Sequence, residues 1–496
     1  MTLSIEEMTI FCKKKGFVFR SAEIYGGLSG FFDYGPLGVE LKNNLKESWY
    51  KFIVRDRQNV VAQDGSIITN PKVWKASGHL DGFADLVLTT KKTRTKLRAD
   101  HFIEEKLNIN AEGLSAKEIN ELIKKHNFTY NGEEFEEVQD FNLMFNTQVG
   151  ASSDGSNTAY LRPETCQSIF PNFKLIMETS RQKLPFGIAQ IGKSFRNEIS
   201  PREFLFRQRE FEQMELEFFT DPTDSLCPDL TGDHRKMSFQ FLSAKTQDEE
   251  KSDMEMISIE DMLEKGMLSE WHAYWLAEMY TWYVEVLKIK PENVRVREHV
   301  KTELSHYSSA TFDIDYKFPF GFKEILGIAD RGQYDLTQHM SHSKSKLDVL
   351  NEGSKERFVP TVIEPSQGVD RLFLAIMFEA YENSKENRGN DVLHFPANLA
   401  PFTCAVFPLV KNKEGVLNKA KDVYNQLRKK FPTFFDVSGT VGRRYARQDE
   451  IGTPFCITID FDSLDDNCVT VRDRETTEQE RINIDKLKQY LYEKTQ

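Results

Sequence analysis

Charge placed where a fold should be apolar is the strongest constraint in this sequence. The stretches Phe195-Arg196-Asn197-Glu198, Phe206-Arg207-Gln208-Arg209-Glu210-Phe211 and Glu364-Pro365-Ser366-Gln367-Gly368-Val369-Asp370-Arg371 put arginine and glutamate on or beside strands expected to be buried. A charge near a core needs a partner, and a polyanionic ligand supplies one. Two such segments far apart in the chain predict one site that reads a nucleoside triphosphate.

Gly187 to Glu198 and Arg209 to Phe219 read as strands around the loop Ile199 to Phe204, which predicts a long antiparallel hairpin. Alternation puts Arg209, Phe211, Gln213 and Glu215 on one face, and Glu210, Glu212, Met214, Leu216 and Phe218 on the other. Arg196 and Glu198 share a face of the first strand. A guanidinium suits a phosphate of such a ligand, because it is always charged and binds two oxygens at once. Arg196 fits that role. Phe211 offers a flat apolar face for adenine, and Glu198 with the Arg207/Arg209 region could orient adenine and the outer phosphates. The same pattern also fits a salt-bridged hairpin.

The third segment reads as a strand over Val359 to Glu364, a turn over Pro365 to Gly368, then a helix with Leu372, Phe373, Ile376 and Met377 buried. Arg371 falls in the first helical turn, where the dipole also favours a phosphate; pairing with Asp370 or Glu379 is the plainer reading. Glu324 sits among apolar residues, either as a Mg²⁺ ligand beside ATP or as a partner of Arg331. His339 and His342 read as surface histidines.

The rest bounds the chain more loosely. Its 496 residues suffice for about three domains. Hydrophobic residues at 39% permit sizeable cores and argue against wholesale disorder. A net charge of −12 argues mildly against a nucleic-acid partner, although phosphate contacts need only a local basic surface. The six cysteines form no Cys-x-x-Cys pair and read as reduced packing residues of a cytoplasmic protein. No signal peptide and no membrane span are expected.

Pro36 opens an amphipathic helix with Leu37, Leu41, Leu45, Trp49 and Ile53 on one stripe, which covers a core or pairs with a second copy. Residues near 105 to 137 read as an inserted, solvated module with an acidic patch at Glu133, Glu134, Glu136 and Glu137. Trp271, Trp275 and Trp282 share a helical face and read as core. Beyond a linker at Asn387 to Asn390, strands at Phe402 to Val410, Phe434 to Val441 and Pro454 to Asp460 alternate with helices at Glu414 to Phe431 and Tyr445 to Glu450. That predicts a small α/β domain with a mostly parallel sheet. Its Gly442-Arg443-Arg444-Tyr445-Ala446-Arg447-Gln448 stretch suits phosphate contacts with base stacking, or is a solvated basic helix.

The arginine-bearing hairpin and strand–helix segments resemble motifs 2 and 3 of class II aminoacyl-tRNA synthetases. Leu161-Arg162-Pro163-Glu164-Thr165, Gln190 to Ile199, Gly327 to Arg331 and Val362-Ile363-Glu364-Pro365-Ser366 resemble most the homodimeric glycyl-tRNA synthetases. The resemblance covers most of the chain. It implies an α+β catalytic domain built on an antiparallel sheet and a C-terminal α/β anticodon-binding domain. The implied divisions are 1–90 with the motif 1 dimer helix, 91–160 a first insertion, 161–220 with motif 2, 221–304 a second insertion, 305–386 with motif 3, and 390–496 for anticodon binding. It implies glycine activation by ATP and transfer to tRNA(Gly) by a homodimer formed through motif 1, in the cytoplasm and away from membranes.

By the same resemblance, Arg196, Asn197, Glu198, Phe206, Arg207, Gln208, Arg209, Glu210, Phe211, Glu324, Ile325, Gly368, Val369, Asp370 and Arg371 are ATP contacts. Arg196, Arg371 and Glu324 would carry the chemistry, Glu324 with Mg²⁺. Arg98, Glu164, Phe211, Glu212, Gln213, Met214, Glu215, Glu364, Pro365, Ser366, Gln367 and Gly368 would be glycine contacts. Some relatives carry cysteine pairs where this chain has Thr90-Lys91-Lys92-Thr93-Arg94-Thr95-Lys96-Leu97-Arg98, so no zinc is expected.

Overall fold

The computed structural model describes residues 3–109, 111, 113–150, 157–224, 226–249, 251–304, 308–351 and 353–495. The expected boundary at 304/305 abuts residues outside this set. Alternating apolar and charged residues build a central sheet of nine strands among the described residues. In chain order these are β1 (Val60–Ala62), β2 (Phe186–Phe195), β3 (Glu210–Thr220), β4 (Ser238–Leu242), β5 (Glu255–Ser258), β6 (Val294–Glu298), β7 (Ala310–Phe318), β8 (Gly321–Gly332) and β9 (Thr361–Gly368). Their spatial order is β5-β4-β6-β7-β8-β9-β3-β2-β1. Neighbours run antiparallel except β4 with β6 and β1 with β2.

The predicted hairpin forms as β2 and β3, with Phe195 opposite Glu210. Its connection is longer than expected, because β2 ends at Phe195 and not at Glu198, and a 3₁₀ turn at Phe204–Phe206 lies within it. The predicted turn at Pro365 to Gly368 is absent. β9 runs through Pro365 to Gly368, and helix α4 (Val369–Ala380) follows at once. Proline cannot donate to a ladder. Pro365 is accommodated because the ladder between β3 and β9 is interrupted between the pairs Glu215–Ser366 and Phe218–Ile363.

Helix α1 (Pro36–Tyr50) starts at Pro36, as expected, and ends in a π-helical turn at Lys51–Arg55. Leu41, Leu45, Trp49 and Ile53 are buried in the main core. Trp271, Trp275 and Trp282 join the same core, the first two from helix α2 (Glu270–Thr281). Helix α3 (Tyr334–Ser343) carries both histidines of the segment. His339 is buried against Gln167 at 3.0 Å, contrary to its reading as a surface residue, while His342 is exposed.

Ala84–Thr89, Lys96–Arg98 and Gln139–Asn142 form a separate three-stranded sheet. Helices Ala99–Leu107 and Ala116–His126 cover it. The Thr90, Thr93 and Thr95 hydroxyls bond to one another, and Glu133 accepts from the Lys92 and Thr93 amides. Part of the acidic patch is thus partnered locally, with Lys91 on Glu134 and Arg94 on Glu136.

The C-terminal unit has β10 (Cys404–Pro408), β11 (Thr433–Phe435), β12 (Phe455–Ile459), β13 (Cys468–Asp473) and β14 (Gln479–Asn483), with helices α5 (Glu414–Leu427) and α6 (Val441–Asp449). The order is β11-β10-β12-β13-β14. Only the pairs β10–β11 and β10–β12 are parallel, so the sheet is mixed and not mostly parallel. The hairpin β13–β14 escapes a hydrophobicity reading because β14, Gln-Glu-Arg-Ile-Asn, is a polar edge strand. No helix among the described residues is long and apolar enough to cross a membrane.

Candidate active site

A cleft of about 250 Å³ opens over β3, β8 and β9. Alternation along β3 turns Phe211, Gln213 and Glu215 into it and sends Met214, Leu216 and Phe218 into the core behind. Glu212 goes with the second set, paired with Lys42 and Lys46 at 3.1 Å. Of the expected glycine contacts, Glu212 and Met214 therefore face away from the cleft.

Glu164, Glu215, Glu364 and Ser366 form one end of the cleft. Ser366 Oγ donates to Glu215 Oε1 at 2.6 Å, and the Thr165 hydroxyl donates to Glu215 Oε2. His79 Nε2 lies 3.3 Å from Glu164. Arg331, itself buried, spans Glu364 at 2.8 Å and Asp335 at 2.7 Å. Burial raises Glu215 above the usual carboxylate range, reinforced by Glu164. Burial also opposes ionisation of Glu164, but His79 and Arg331 prevail and hold it well below that range. Burial pushes Glu364 up to about 8 against Arg331, with Glu215 and Glu164 adding repulsion. Three carboxyl groups with so few bound cations make this end a receptor for a small cation.

Arginines gather at the other end. Arg196 is held by its Nε–H on the Pro163 carbonyl at 3.1 Å, and its guanidinium lies over Phe211 at 5.3 Å. Arg371 donates to the Phe206 carbonyl at 3.1 Å and to Glu324 Oε2 at 3.0 Å, stacked on Phe206 at 4.4 Å. Arg207 lies 3.5 Å from Glu198. Glu324 thus pairs with Arg371, not with Arg331, because β8 sends the two residues to different stations along the cleft. Burial would raise Glu324, yet Arg371 holds it below the ordinary value.

Several expected contacts lie elsewhere. Arg209 donates to the Glu198 and Ser29 carbonyls, and Glu210 pairs with Lys193. Ile325, Val369 and Pro365 are buried, the first two in the core. The Asn197 amide donates to the Leu143 carbonyl, and Arg98 is engaged by Asp100 at 2.8 Å and Asp85 at 3.4 Å. Gln208, Gln367, Gly368 and Asp370 border the cleft. Asp370 is turned to Lys42 and Tyr34, and Gln367 to Tyr283.

The cleft also uses residues that sequence reading passed over, among them Leu205, His299, Thr311 and Asp313. The alternation Phe312-Asp313-Ile314-Asp315-Tyr316 along β7 was the available signal. Asp313 accepts from His299 at 2.8 Å and from Arg297.

The tRNA synthetase class II core domain (G, H, P, S and T) family matches residues 145–381, and the anticodon binding domain family matches 403–494. The glycine–tRNA ligase of Clostridium beijerinckii is 44% identical, with 98% of each chain covered. That of Caldanaerobacter subterraneus is 45% identical over 99% of this chain and 98% of its own. The chain belongs to the glycine–tRNA ligase family. The glycine–tRNA ligase of Mesoplasma florum, 44% identical over 98% of this chain and 99% of its own, extends the likeness to a further genus. The core-domain match spans β2, β3, β9 and α4.

The anticodon-binding unit corrects one expectation. Arg444 of α6 is buried and donates to the carbonyls of Pro408, Val437 and Gly439. The Tyr445 hydroxyl bonds Thr458, and Arg447 pairs with Asp436. Arg443 is exposed.

Proposed function

We propose that this cleft activates glycine with ATP and passes it to tRNA(Gly). The observation that carries the reading is the pairing of a carboxylate-lined end, built by Glu164, Glu215, Glu364 and Ser366, with an arginine end at Arg196 and Arg371. The first end suits the ammonium of glycine. Its side chains bond one another closely, which supports exclusion of amino acids with a larger side chain by bulk; no editing site is then required. The second end suits phosphates.

In the first step a glycine carboxylate oxygen attacks the α-phosphorus of ATP. A P–O bond forms, the bond to pyrophosphate breaks, and glycyl-adenylate results. Arg196 would stabilise charge on the α-phosphate and Arg371 on the outer phosphates. In the second step the 3′-terminal ribose hydroxyl of the tRNA attacks the glycyl carbonyl and AMP leaves. No protein nucleophile is involved, and positioning supplies much of the acceleration.

Phe206, beneath Arg371, and Phe211, beneath Arg196, are the aromatic faces available to adenine. Arg207 and Glu198 would orient it. Arg98, Gln213 and Gly368 complete our assignment to substrate. Arg209, Glu210, Asn197, Ile325, Val369, Pro365, Glu212 and Met214 act as supports of this wall.

The residues at Glu324 fit Mg²⁺ with ATP. A Cβ on Gly327 would stand 3.5 Å from Asp313 Oδ1 and 3.9 Å from Glu324 Oε1, so two hard oxygen donors converge there. Bound there with ATP, the ion would neutralise phosphate charge. At Thr90–Arg98, hydroxyls and Glu133 replace the thiolates that zinc favours. We further infer a cytoplasmic functional unit, and a homodimer from the exposed apolar residues Val39 of α1 and Ile24, Tyr25 and Leu28 of the preceding segment.

The test is glycine-dependent ATP–pyrophosphate exchange, with alanine and serine as controls. Exchange with glycine alone supports the reading. Exchange with another amino acid would overturn the pocket assignment.

A further inference from the structure

Beneath the carboxylate end of the cleft lies an acid that the chemistry above does not use. The alternation that turns Phe211, Gln213 and Glu215 into the cleft continues to Glu217. Glu217 is fully buried, and neither carboxyl oxygen has a hydrogen-bond partner. It occupies the interruption in the β3–β9 ladder, where it faces Glu364. An oxygen of Glu217, one each of Glu215 and Glu364, and the Cys166 sulfur all lie within 4.8 Å of one another.

Two carboxylates on adjoining strands at such a separation do not both ionise readily. Arg331 is committed to Glu364 and Asp335. Glu364 therefore has the stronger claim to the negative charge, and Glu217 to the proton. We propose that Glu217 stays protonated at neutral pH and donates its carboxyl proton to Glu364, a positioning role for the carboxylate that receives the ammonium. This inference rests on the glycine reading of the pocket. Burial and the nearby Glu364 also hold Glu217 well above the ordinary carboxylate range.

The groups facing Glu217 agree with that assignment. Glu364 approaches from β9, Arg331 from β8, Asp335 from α3, and Glu215 from its own strand. The Cys166 thiol closes the group, itself held protonated by burial and by Glu164. A second ionised acid here would add negative charge with no added cation. A neutral acid instead supplies the O–H that Glu364 needs once glycine draws it into the ionised form. Glu217 keeps its own proton throughout, and the proton that Glu364 gives up on ionising passes to solvent.

The experiment compares Glu217→Met with Glu217→Gln in glycine-dependent exchange across pH. Methionine fills the space without a donor. We expect KM for glycine to rise about tenfold with kcat nearly constant, as for a lost hydrogen bond to a charged group. The pH below which glycine binding weakens should also move up, because Glu364 ionises less readily. Glutamine keeps a donor and should restore most of the lost binding. If Glu217→Gln is as impaired as Glu217→Met, Glu217 is an ionised ammonium ligand and the proposal fails. If Glu217→Met leaves KM for glycine unchanged, Glu217 has no positioning role and the proposal also fails.

Should a variant not fold, the infrared spectrum of the unmodified protein decides. A buried carboxylic acid band that persists at about pH 9 with glycine bound, where Glu364 is ionised, is expected, and its absence overturns the proposal. Glu215→Gln separates the two readings. Unchanged KM for glycine in that variant removes the pocket assignment itself. A raised KM there, with a silent Glu217→Met, removes only this inference.

Discussion

Lys42 Nζ lies 2.9 Å from Asp370 Oδ1, tying α1 to the first turn of α4. Asp370 also accepts from the Tyr34 hydroxyl and, at 2.7 Å, from the Glu212 amide. Burial works against the charge on both members of the pair. Their attraction prevails, holding Lys42 above and Asp370 below its ordinary value. Arg371 is the next residue of α4, so this buried pair sets the helix end that presents it to the cleft.

Lys42→Met should therefore cost about 3–5 kcal/mol, because Asp370 and Glu212 lose a buried cation. Denaturant unfolding measures the loss. A stability equal to that of the parent would mean the pair is dispensable.

Arg196→Ala should leave the fold intact and lower ATP–pyrophosphate exchange by about 10²–10³-fold, the scale of one lost transition-state charge contact. Circular dichroism checks the fold. Near-normal exchange would contradict the role assigned to Arg196.

Glycine should stabilise the protein more as pH rises from about 6 to about 8. Glu364 has a folded-state value raised to about 8. A carboxyl raised in this way makes its stabilising contribution below its unfolded value, and loses it as pH rises through the folded value. An ammonium bound at Glu364 offsets that loss, so the glycine-induced thermal shift grows through the same window. A shift flat in pH would argue against ionisation of Glu364 on binding.

Gly192→Ala should be severe although glycine, at this site, has an ordinary strand conformation. A Cβ there would stand 2.1 Å from Arg162 Nη2. Arg162 is buried and donates to the Lys193 carbonyl at 2.7 Å and the Gly65 carbonyl at 2.6 Å. We expect a loss of about 1–3 kcal/mol from overpacking, read as a lower unfolding midpoint. Exchange activity should fall with it, since Arg162 adjoins the segment that carries Glu164.

Arg444→Ala and Arg443→Ala should separate structure from recognition in the C-terminal unit. The first takes the buried Arg444 guanidinium from the buried Pro408 carbonyl and from the carbonyls of Val437 and Gly439 and should cost about 1–3 kcal/mol. The second removes an exposed cation and should leave stability unchanged while weakening tRNA binding in a salt-dependent way. Filter binding and thermal unfolding on both variants test this.

Local order was legible wherever one face of an element meets an apolar core. The hairpin, helix α1, the tryptophan stripe and the helix that carries Arg371 follow from period and composition alone, because burial imposes those periods. The same logic placed Phe211, Gln213 and Glu215 on one face and Met214 on the other. Which charge meets which was decided only by the tertiary structure. Glu324 pairs with Arg371, Arg331 with Glu364 and Asp335, and Arg98 with Asp85 and Asp100. Glu324 with Arg371 and Arg331 with Glu364 carry no sequence period, since those partners come from elements distant in the chain and are chosen by the register of whole strands. Pro365 could sit inside a central strand only because the neighbouring ladder opens there, and that opening is where Glu217 meets Glu364.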